Sequence, residues 1–312
     1  MSADPLGPAY VSRTMPMRDG SVATLVRHAA ADNTRGAVLY VHGYVDYFFQ
    51  THVAEHFAAR GYDFYAVDLR RCGRSLRPGE AKFYAEDLGE WDEEFDTAVE
   101  AIRADGHDRI TVLGSSTGGL AVLLWLARRP ELPVPAVVLN SPWLDLQGPW
   151  FMRTVGTQLV YLLARIKPQL VLPQGIPPAY GDSVHVSAHG EWDFDTEWKP
   201  LRGAPTYVGV LAAVRRGQAR LHRGLGLTMP ILLLHSGRSR LDITEWAEAA
   251  QSHDVVLDVE QMKHWAARLG PDVTTVPIEG GVHDLFLSAP PARARALTAV
   301  DEFLDRVDPA DR

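Results

Sequence analysis

The chain has 312 residues, of which 46% are hydrophobic and 22% charged, and its formal net charge is −8 at pH 7. This composition is ordinary for a soluble globular protein with a sizeable core, and the length suits one large α/β domain or two small ones. The acidic balance is spread along the chain, which argues against nucleic acid as a partner because phosphates attract basic patches. The single cysteine, Cys72, excludes an internal disulfide framework.

The sequence suggests neither an N-terminal secretory signal nor a membrane span. The N-terminus lacks an apolar core, and the longest apolar run, Leu120–Ala127, is far shorter than the roughly 20 residues that cross a bilayer. We therefore expect a cytoplasmic protein without stable membrane insertion, and the oligomeric state is left open.

Short apolar runs alternate with longer amphipathic stretches along most of the chain. Nearly continuous apolar runs indicate parallel strands that are buried on both faces. After an antiparallel strand at Ser21–His28, the predicted parallel strands are Ala37–His42, Phe64–Leu69, Ile110–Leu113, Ala136–Asn140, Ile231–His235 and Val273–Ile278. The predicted helices are His52–Arg60, Asp87–Ala104, Gly118–Arg129, Thr244–Ser252, Val259–Leu269 and Ala292–Val307. This alternation predicts a parallel sheet with helices on both faces.

One long stretch, from Pro142 to Met229, interrupts the alternation. It is rich in proline, glycine and tryptophan and contains no obvious strand. A structureless loop of this length is improbable inside a compact domain, so we predict a helical cap at 143–229, inserted into a core made of 1–142 and 230–312. One amphipathic helix of the cap is predicted from apolar residues at helical spacing: Phe151, Val155, Leu159, Leu162 and Ile166. This stripe either packs on the core or lines a pocket.

The motif Gly114-Ser115-Ser116-Thr117-Gly118 joins a predicted buried strand to a predicted helix. A G-x-S-x-G turn in this context raises a serine hydroxyl above the end of a sheet, with a helix N-terminus behind it. The bare pattern is weak, but the strand before it and the helix after it favour Ser116 as a nucleophile over an ordinary turn.

A second segment, Val41-His42-Gly43-Tyr44, lies at the end of the predicted strand Ala37–His42. Acyl transfer builds negative charge on a carbonyl oxygen, and backbone N–H groups must already point at it. We expect the N–H groups of Tyr44 and Thr117 to form this oxyanion hole, with His42 shaping the loop. The alternative is a plain turn at the end of a strand.

A serine nucleophile needs a base, and His283 is the best placed of the 12 histidines. It follows the predicted strand Val273–Ile278 and the glycines Gly280 and Gly281, where a loop at the end of a strand can reach Ser116. His235 also ends a strand, but it precedes the candidate acids, and we expect it to be structural.

The acid that orients the base is less well defined. Four carboxylates, Asp242, Asp254, Asp258 and Glu260, lie between the strand Ile231–His235 and His283, in the chain order serine, acid, histidine. We favour Asp254, which opens a short apolar turn beyond the sheet. Asp258 better suits the N-cap of the following helix. Asp258, Asp242 or no acid at all remain as alternatives.

The chain resembles the α/β-hydrolases of the serine aminopeptidase S33, lysophospholipase and monoacylglycerol-lipase-like group from about Val22 to Val307. The residues that carry this resemblance are His42-Gly43, Asp68–Ser75, the turn around Ser116, Asp254 and Gly281-Val282-His283-Asp284. It implies the α/β-hydrolase fold, with a mostly parallel eight-stranded sheet flanked by helices and a helical cap after the sixth strand.

The resemblance also implies Ser116, Asp254 and His283 as the catalytic triad, and Tyr44 and Thr117 as oxyanion donors. Asp68 and Arg74 match a segment that is usually structural in this group. The chain has Ser115 where the group often has histidine, and its segment before Asp254 is longer than usual.

We therefore expect a serine hydrolase that cleaves small or medium acyl esters or glycerides through an acyl-enzyme. An acyltransferase or perhydrolase, a peptidase, and a non-catalytic receptor on the same fold are the alternatives. A small-molecule ester is the expected partner, with no metal and no organic cofactor, since no His/Cys cluster has zinc-ligand spacing. Aromatic residues of the cap either line an apolar pocket or pack the cap on the sheet: Trp143, Trp150, Phe151, Tyr161, Trp192 and Trp198.

Overall fold

A computed structural model describes residues 2–32, 35–172 and 177–307 of the chain. The strands are β1 Ser2–Asp4, β2 Gly7–Pro16, β3 Val22–His28, β4 Gly36–Val41, β5 Tyr62–Asp68, β6 Ile110–Ser115, β7 Val137–Asn140, β8 Val171–Leu172, β9 Thr206–Tyr207, β10 Ile231–Ser236 and β11 Val273–Ile278. The α-helices are α1 Thr51–Ala59, α2 Asp92–Ala104, α3 Ser116–Arg128, α4 Thr157–Ile166, α5 Pro178–Val184, α6 Val208–Leu221, α7 Val259–Ala266 and α8 Pro290–Val307.

One large sheet has the strand order β1-β2-β3-β5-β4-β6-β7-β10-β11. Pairing is antiparallel from β1 to β5 and parallel from β5 to β11. The predicted mostly parallel sheet is therefore confirmed. In the described ranges it has nine strands rather than eight, because the three-residue β1 extends the antiparallel edge. β2 was not predicted, because most of its residues are exposed or half-exposed and form no continuous apolar run.

Apolar clusters cover both faces of the sheet, as the buried strands predicted. Successive residues of β4 alternate between them: Leu39 and Val41 belong to one cluster, and Val38 and Tyr40 belong to the other. The first cluster includes residues of α2, α3, α6 and α7, and the second includes residues of α1 and α8. Because β4 is buried on both faces, its sequence is a nearly continuous apolar run rather than an alternating one.

The predicted helix at Thr244–Ser252 is wrong. Only a short 3₁₀ turn, Glu248–Gln251, forms there. Tertiary contacts determine the conformation of this segment: the Thr244 carbonyl accepts a hydrogen bond from the Ala179 N–H, and the Trp246 ring stacks on His189. These contacts to a distant part of the chain outweigh the local helix propensity.

β7 and β10 are direct neighbours in the sheet, and residues 143–229 lie in the connection between them. We call residues 143–229 the insertion. The insertion contains α4, α5 and α6 together with the small antiparallel pair β8–β9, which the sequence did not indicate. α4 packs on α6, and α6 packs on α3.

The predicted amphipathic helix of the insertion is present as a π-helical turn, Met152–Gly156, followed by α4. Its apolar stripe faces outward rather than packing on the core. The exposed fraction is 51% for Phe151, 67% for Val155, 57% for Leu159, 55% for Leu162 and 68% for Ile166. Within the ranges given above, no helix is both long and apolar enough to cross a membrane.

Candidate active site

Ser116 lies at the junction of β6 and α3, in a backbone conformation that is unusual for serine. Its φ angle is +52°, in the left-handed region where non-glycine residues are strained. The neighbouring glycines allow the turn to be tight. A Cβ on Gly118 would lie 2.1 Å from the His42 carbonyl oxygen, and one on Gly114 would lie 2.7 Å from the Gly119 Cα. The motif thus forms the sharp strand-to-helix turn of a nucleophile elbow.

The loop after β11 brings His283 to this turn. The His283 Nε2 lies 3.0 Å from the Ser116 Oγ, within hydrogen-bond reach. The histidine is 7% exposed, and the Tyr180 ring lies against it at a centroid distance of 5.6 Å and an angle of 83°. This loop is itself tied down, since the Val282 N–H donates to the Ser288 Oγ at 3.0 Å.

Asp254 lies on the other side of the imidazole. Its Oδ2 is 2.9 Å from the His283 Nδ1, and the aspartate is completely buried. The second oxygen, Oδ1, accepts hydrogen bonds from the Val256 and Leu257 N–H groups, both at 2.8 Å. Backbone donors thus occupy one oxygen and leave the other directed at the histidine. The structure therefore brings Ser116, His283 and Asp254 together in one hydrogen-bonded chain.

The other carboxylates considered from the sequence lie elsewhere. Asp258 caps α7 by accepting the Glu260 N–H at 3.0 Å. Asp242 is exposed and pairs with Arg240, whose hydrogen bond lowers the pKa of Asp242 to about 2. Glu260 pairs with Lys263 on the surface of α7. Each of these three groups is engaged in local structure.

The His42 side chain ties the loop that follows β4 to the residue after β5. The His42 Nδ1 lies 2.8 Å from the Gly43 carbonyl oxygen, while Nε2 accepts the Leu69 N–H at 3.1 Å. The ring is therefore the neutral tautomer protonated on Nδ1, and its burial lowers the pKa of His42. A Cβ on Gly43 would lie only 3.0 Å from the Ser116 Cβ, so the backbone just before Tyr44 lies close against Ser116. His42 has the structural position in the loop that the sequence predicted.

Asp68 and Arg74, expected to be structural, stabilise the continuation of the same loop. Asp68 accepts the Phe48 N–H through Oδ1 at 2.8 Å and pairs with the Arg74 guanidinium through Oδ2 at 2.8 Å. Arg74 also pairs with Asp4 at the end of β1. His235 is buried and its Nδ1 lies 2.6 Å from the Ser236 carbonyl oxygen, a local contact that fits the expected structural residue.

A second polar cluster, which was not predicted from the sequence, adjoins the candidate site. Lys199 of the insertion forms an ion pair with Asp46, with Nζ and Oδ2 2.5 Å apart. Asp284, the residue after His283, accepts hydrogen bonds from the Asn140 Nδ2 at 2.7 Å and the Gln50 Nε2 at 3.2 Å. Burial raises the pKa of Asp284, an effect that the positive charge of Lys199 opposes. Of these residues, Asp284 could have been noticed in the sequence, because it directly follows a candidate base.

The family of hydrolases described as serine aminopeptidase, S33, matches residues 32–289. The chain belongs to this family. A monoacylglycerol lipase of Mycolicibacterium smegmatis is 32% identical to it over 212 residues, which are 66% of this chain and 71% of that protein. This membership confirms the predicted superfamily and the predicted enzyme class, a carboxylic ester hydrolase.

Solved structures share the fold at low sequence identity. A soluble variant of monoglyceride lipase from Saccharomyces cerevisiae, in complex with a substrate analog, has a TM-score of 0.70 at 16% identity over 97% of this chain and 96% of that one. The monoacylglycerol lipase of Paleococcus ferrophilus has a TM-score of 0.66 at 22% identity over 90% and 98% of the two chains. An open-form lipase has a TM-score of 0.73 at 17% identity over 97% and 100%. The predicted α/β-hydrolase fold is confirmed.

Proposed function

We propose that this S33-family hydrolase cleaves amphiphilic carboxylic esters of the monoacylglycerol type through an acyl-enzyme on Ser116. His283 is the general base and Asp254 is the acid that orients it. The observation that carries the proposal is the hydrogen-bonded chain from the Ser116 Oγ to the His283 Nε2, at 3.0 Å, and from the His283 Nδ1 to the Asp254 Oδ2, at 2.9 Å.

In the first step, the Ser116 Oγ attacks the ester carbonyl carbon while the His283 Nε2 takes the hydroxyl proton. The Asp254 carboxylate holds the tautomer with hydrogen on Nδ1 and stabilises the imidazolium that forms. His283 then returns the proton to the departing alcohol, and the acyl group remains on Ser116. Water, activated by the same histidine, attacks the acyl-enzyme and releases the acid.

The negative charge that develops on the carbonyl oxygen needs donors that are already in place. We assign this role to the N–H groups of Tyr44 and Thr117. The close approach of Gly43 to Ser116 and the position of Thr117 in the first turn of α3 support this assignment. Loss of one such donor costs about 10²- to 10³-fold in kcat.

We further propose that the insertion, residues 143–229, is a cap over this site, inserted into a core made of 1–142 and 230–312. The Trp143 N–H donates to the Ser116 carbonyl oxygen at 3.0 Å, and Tyr180 of α5 lies against His283. Both contacts support a cap that adjoins the reacting groups, and the cap then determines which substrates reach Ser116.

An amphiphilic substrate is favoured by the surface of the cap and by the monoacylglycerol lipase relative. The stripe on α4 and the turn before it exposes five large apolar side chains. Contiguous exposed apolar surface marks a place where a protein meets apolar partners or ligands. Binding of a small polar ester or a peptide would not require such an apolar surface.

The proposal predicts one covalently labelled serine. A fluorophosphonate probe is expected to add one label per chain, detected by intact-mass spectrometry, and Ser116→Ala is expected to abolish both labelling and ester hydrolysis. Ser115→Ala is the matched control because this serine is adjacent but lies outside the hydrogen-bonded chain to His283. Full labelling of the Ser116→Ala variant contradicts the proposal.

The substrate class is tested by comparing monoacylglycerols and p-nitrophenyl esters of increasing chain length with peptide amides. Faster release of acid from the esters supports the proposal, and faster cleavage of the amides makes the protein a peptidase. Adding an alcohol or a peroxide distinguishes hydrolysis from acyl transfer or perhydrolysis by the products. A labelled protein that turns over none of these substrates points to a receptor.

A further inference from the structure

Lys199 is buried in aromatic surroundings rather than exposed like most lysines. It is 8% exposed, and its Nζ lies 5.2 Å from the ring centroid of Phe49, 5.6 Å from that of Phe194 and 5.9 Å from that of Tyr180. The ammonium forms its ion pair with Asp46 in these surroundings. Burying two charges costs free energy that their attraction only partly offsets, so general stability is a poor explanation for the pair.

The ion pair joins the insertion to the loop that carries one proposed oxyanion donor. Asp46 lies two residues after Tyr44, and Val45 between them has a φ angle of +47°. A β-branched residue in the left-handed region is strained and persists only where its surroundings hold it. Both carboxylate oxygens of Asp46 are engaged, Oδ2 by Lys199 and Oδ1 by the Tyr47 N–H at 2.9 Å.

Other contacts from the insertion reach the same loop. The Tyr44 hydroxyl donates to the Pro205 carbonyl oxygen at 3.0 Å, and the Asp195 N–H donates to the Tyr47 hydroxyl at 2.7 Å. Among these contacts, the one made by Lys199 is between charged groups. The Tyr180 ring lies against both Lys199 and His283, so Lys199 is also close to the candidate base. The loop is thus held from the insertion on both sides of Val45.

We propose that Lys199 is a positioning residue for ester hydrolysis: its ion pair with Asp46 keeps the strained Val45 in place and so directs the Tyr44 N–H at the oxyanion. This inference rests on the function proposed above. The donor acts on charge that exists in the transition state, so its displacement lowers kcat and leaves KM nearly unchanged.

The test uses the full chain with Lys199→Met, Lys199→Arg and Asp46→Asn. Competent sites are counted by fluorophosphonate labelling run to completion, and kcat per labelled site and KM are measured on a short, water-soluble p-nitrophenyl ester. Lys199→Met and Asp46→Asn are expected to lower kcat per site about 10- to 100-fold, the loss caused by misplacement on the order of 1 Å. Lys199→Arg retains a cation and is expected to keep most of the wild-type kcat per site.

A matched control is Arg215→Met, which removes another buried ion pair of the insertion, with the Arg215 Nη1 2.7 Å from the Asp145 Oδ1. It is expected to lower the melting temperature but to leave kcat per labelled site unchanged. If Lys199→Met folds poorly, the double variant Lys199→Met/Asp46→Asn leaves no unpaired charge in the pair. Its kcat per site is expected to stay low.

Wild-type kcat per labelled site in the Lys199 and Asp46 variants overturns the inference. The proposed function then still stands, provided that Ser116→Ala has lost ester hydrolysis. Retention of hydrolysis by Ser116→Ala instead overturns the proposed function itself, whatever the Lys199 variants do.

Discussion

At the scale of single residues, the site depends on how the two oxygens of Asp254 are divided. Oδ1 accepts two backbone N–H groups of the turn that follows it, and Oδ2 alone is directed at the His283 Nδ1. The carboxylate cannot rotate without giving up those backbone bonds. Asp258, four residues later, has the same side chain but accepts the Glu260 N–H in the first turn of α7. The same side chain therefore has different partners at the two positions, and we assign it different roles.

This difference gives a residue-scale prediction. Asp254→Asn is expected to lower kcat by about 10⁴-fold, because an amide in this place favours the wrong histidine tautomer. Asp258→Asn keeps an N-capping side chain and is expected to leave kcat unchanged, with a loss of stability below about 1 kcal/mol. Both are measured on a soluble p-nitrophenyl ester. A large loss of kcat in Asp258→Asn, with little in Asp254→Asn, transfers the acid's role to Asp258.

At the scale of secondary-structure elements, the elbow between β6 and α3 interlocks with the loop after β4. The His42 carbonyl oxygen occupies the space where a Cβ on Gly118 would lie, and Ser116 touches Gly43. The two elements that carry the proposed oxyanion donors are thus packed backbone to backbone. Glycine at 118 is required by this close approach and not by a special φ angle, since Gly118 lies within α3.

The element-scale prediction concerns this contact. Gly118→Ala is expected to push α3 and the loop apart, with a loss of about 1–3 kcal/mol of stability and a fall in kcat. Gly156→Ala is the control: its Cβ would meet nothing nearer than 3.7 Å, and helical φ favours alanine. Thermal unfolding and kcat on a soluble ester measure both effects. Unchanged kcat in Gly118→Ala contradicts the proposed coupling of the two elements.

At the scale of the whole molecule, several histidines are buried or half-buried, and their pKa values are lowered. Burial is the main cause that lowers the pKa of each, and for His52 it brings the pKa to about 4. The His52 Nε2 lies 2.9 Å from the Phe286 carbonyl oxygen, and its ring stacks on Trp192. The group consists of His42, His52, His222 and His235.

The lowered pKa values of these histidines predict that the protein loses stability in mild acid. The folded pKa of His52 is about 4 and its unfolded value is about 6.5, so between these two pH values the unfolded chain binds a proton that the folded protein does not. The lowered pKa values of His42, His222 and His235 act in the same direction. The free energy of unfolding is therefore expected to fall as the pH drops through this window. His52→Gln is expected to reduce this pH dependence, measured as the difference in urea midpoint between pH 7.5 and pH 5. An unchanged difference contradicts the prediction.

Much of the fold and part of the site could be predicted from local sequence. The parallel strands are apolar runs because helices cover both faces of the sheet, and the elbow around Ser116 is a five-residue pattern between a strand and a helix. His283 could be proposed as the base because it follows the last predicted strand. The acid could not be separated from its neighbours in the same way, since Asp242, Asp254, Asp258 and Glu260 share the same chain order.

Features that depend on neighbouring residues could be predicted from the sequence: the parallel strands, the turn at Ser116 and the N-cap of α7. Which segments meet depends on the tertiary structure. It directed the stripe on α4 to solvent, replaced the helix expected at Thr244–Ser252 by contacts to the insertion, and paired Lys199 with Asp46 across 153 positions of the chain. The physical reason is that a turn is encoded by adjacent residues, whereas burial and the partner of a charge depend on residues far apart in the sequence.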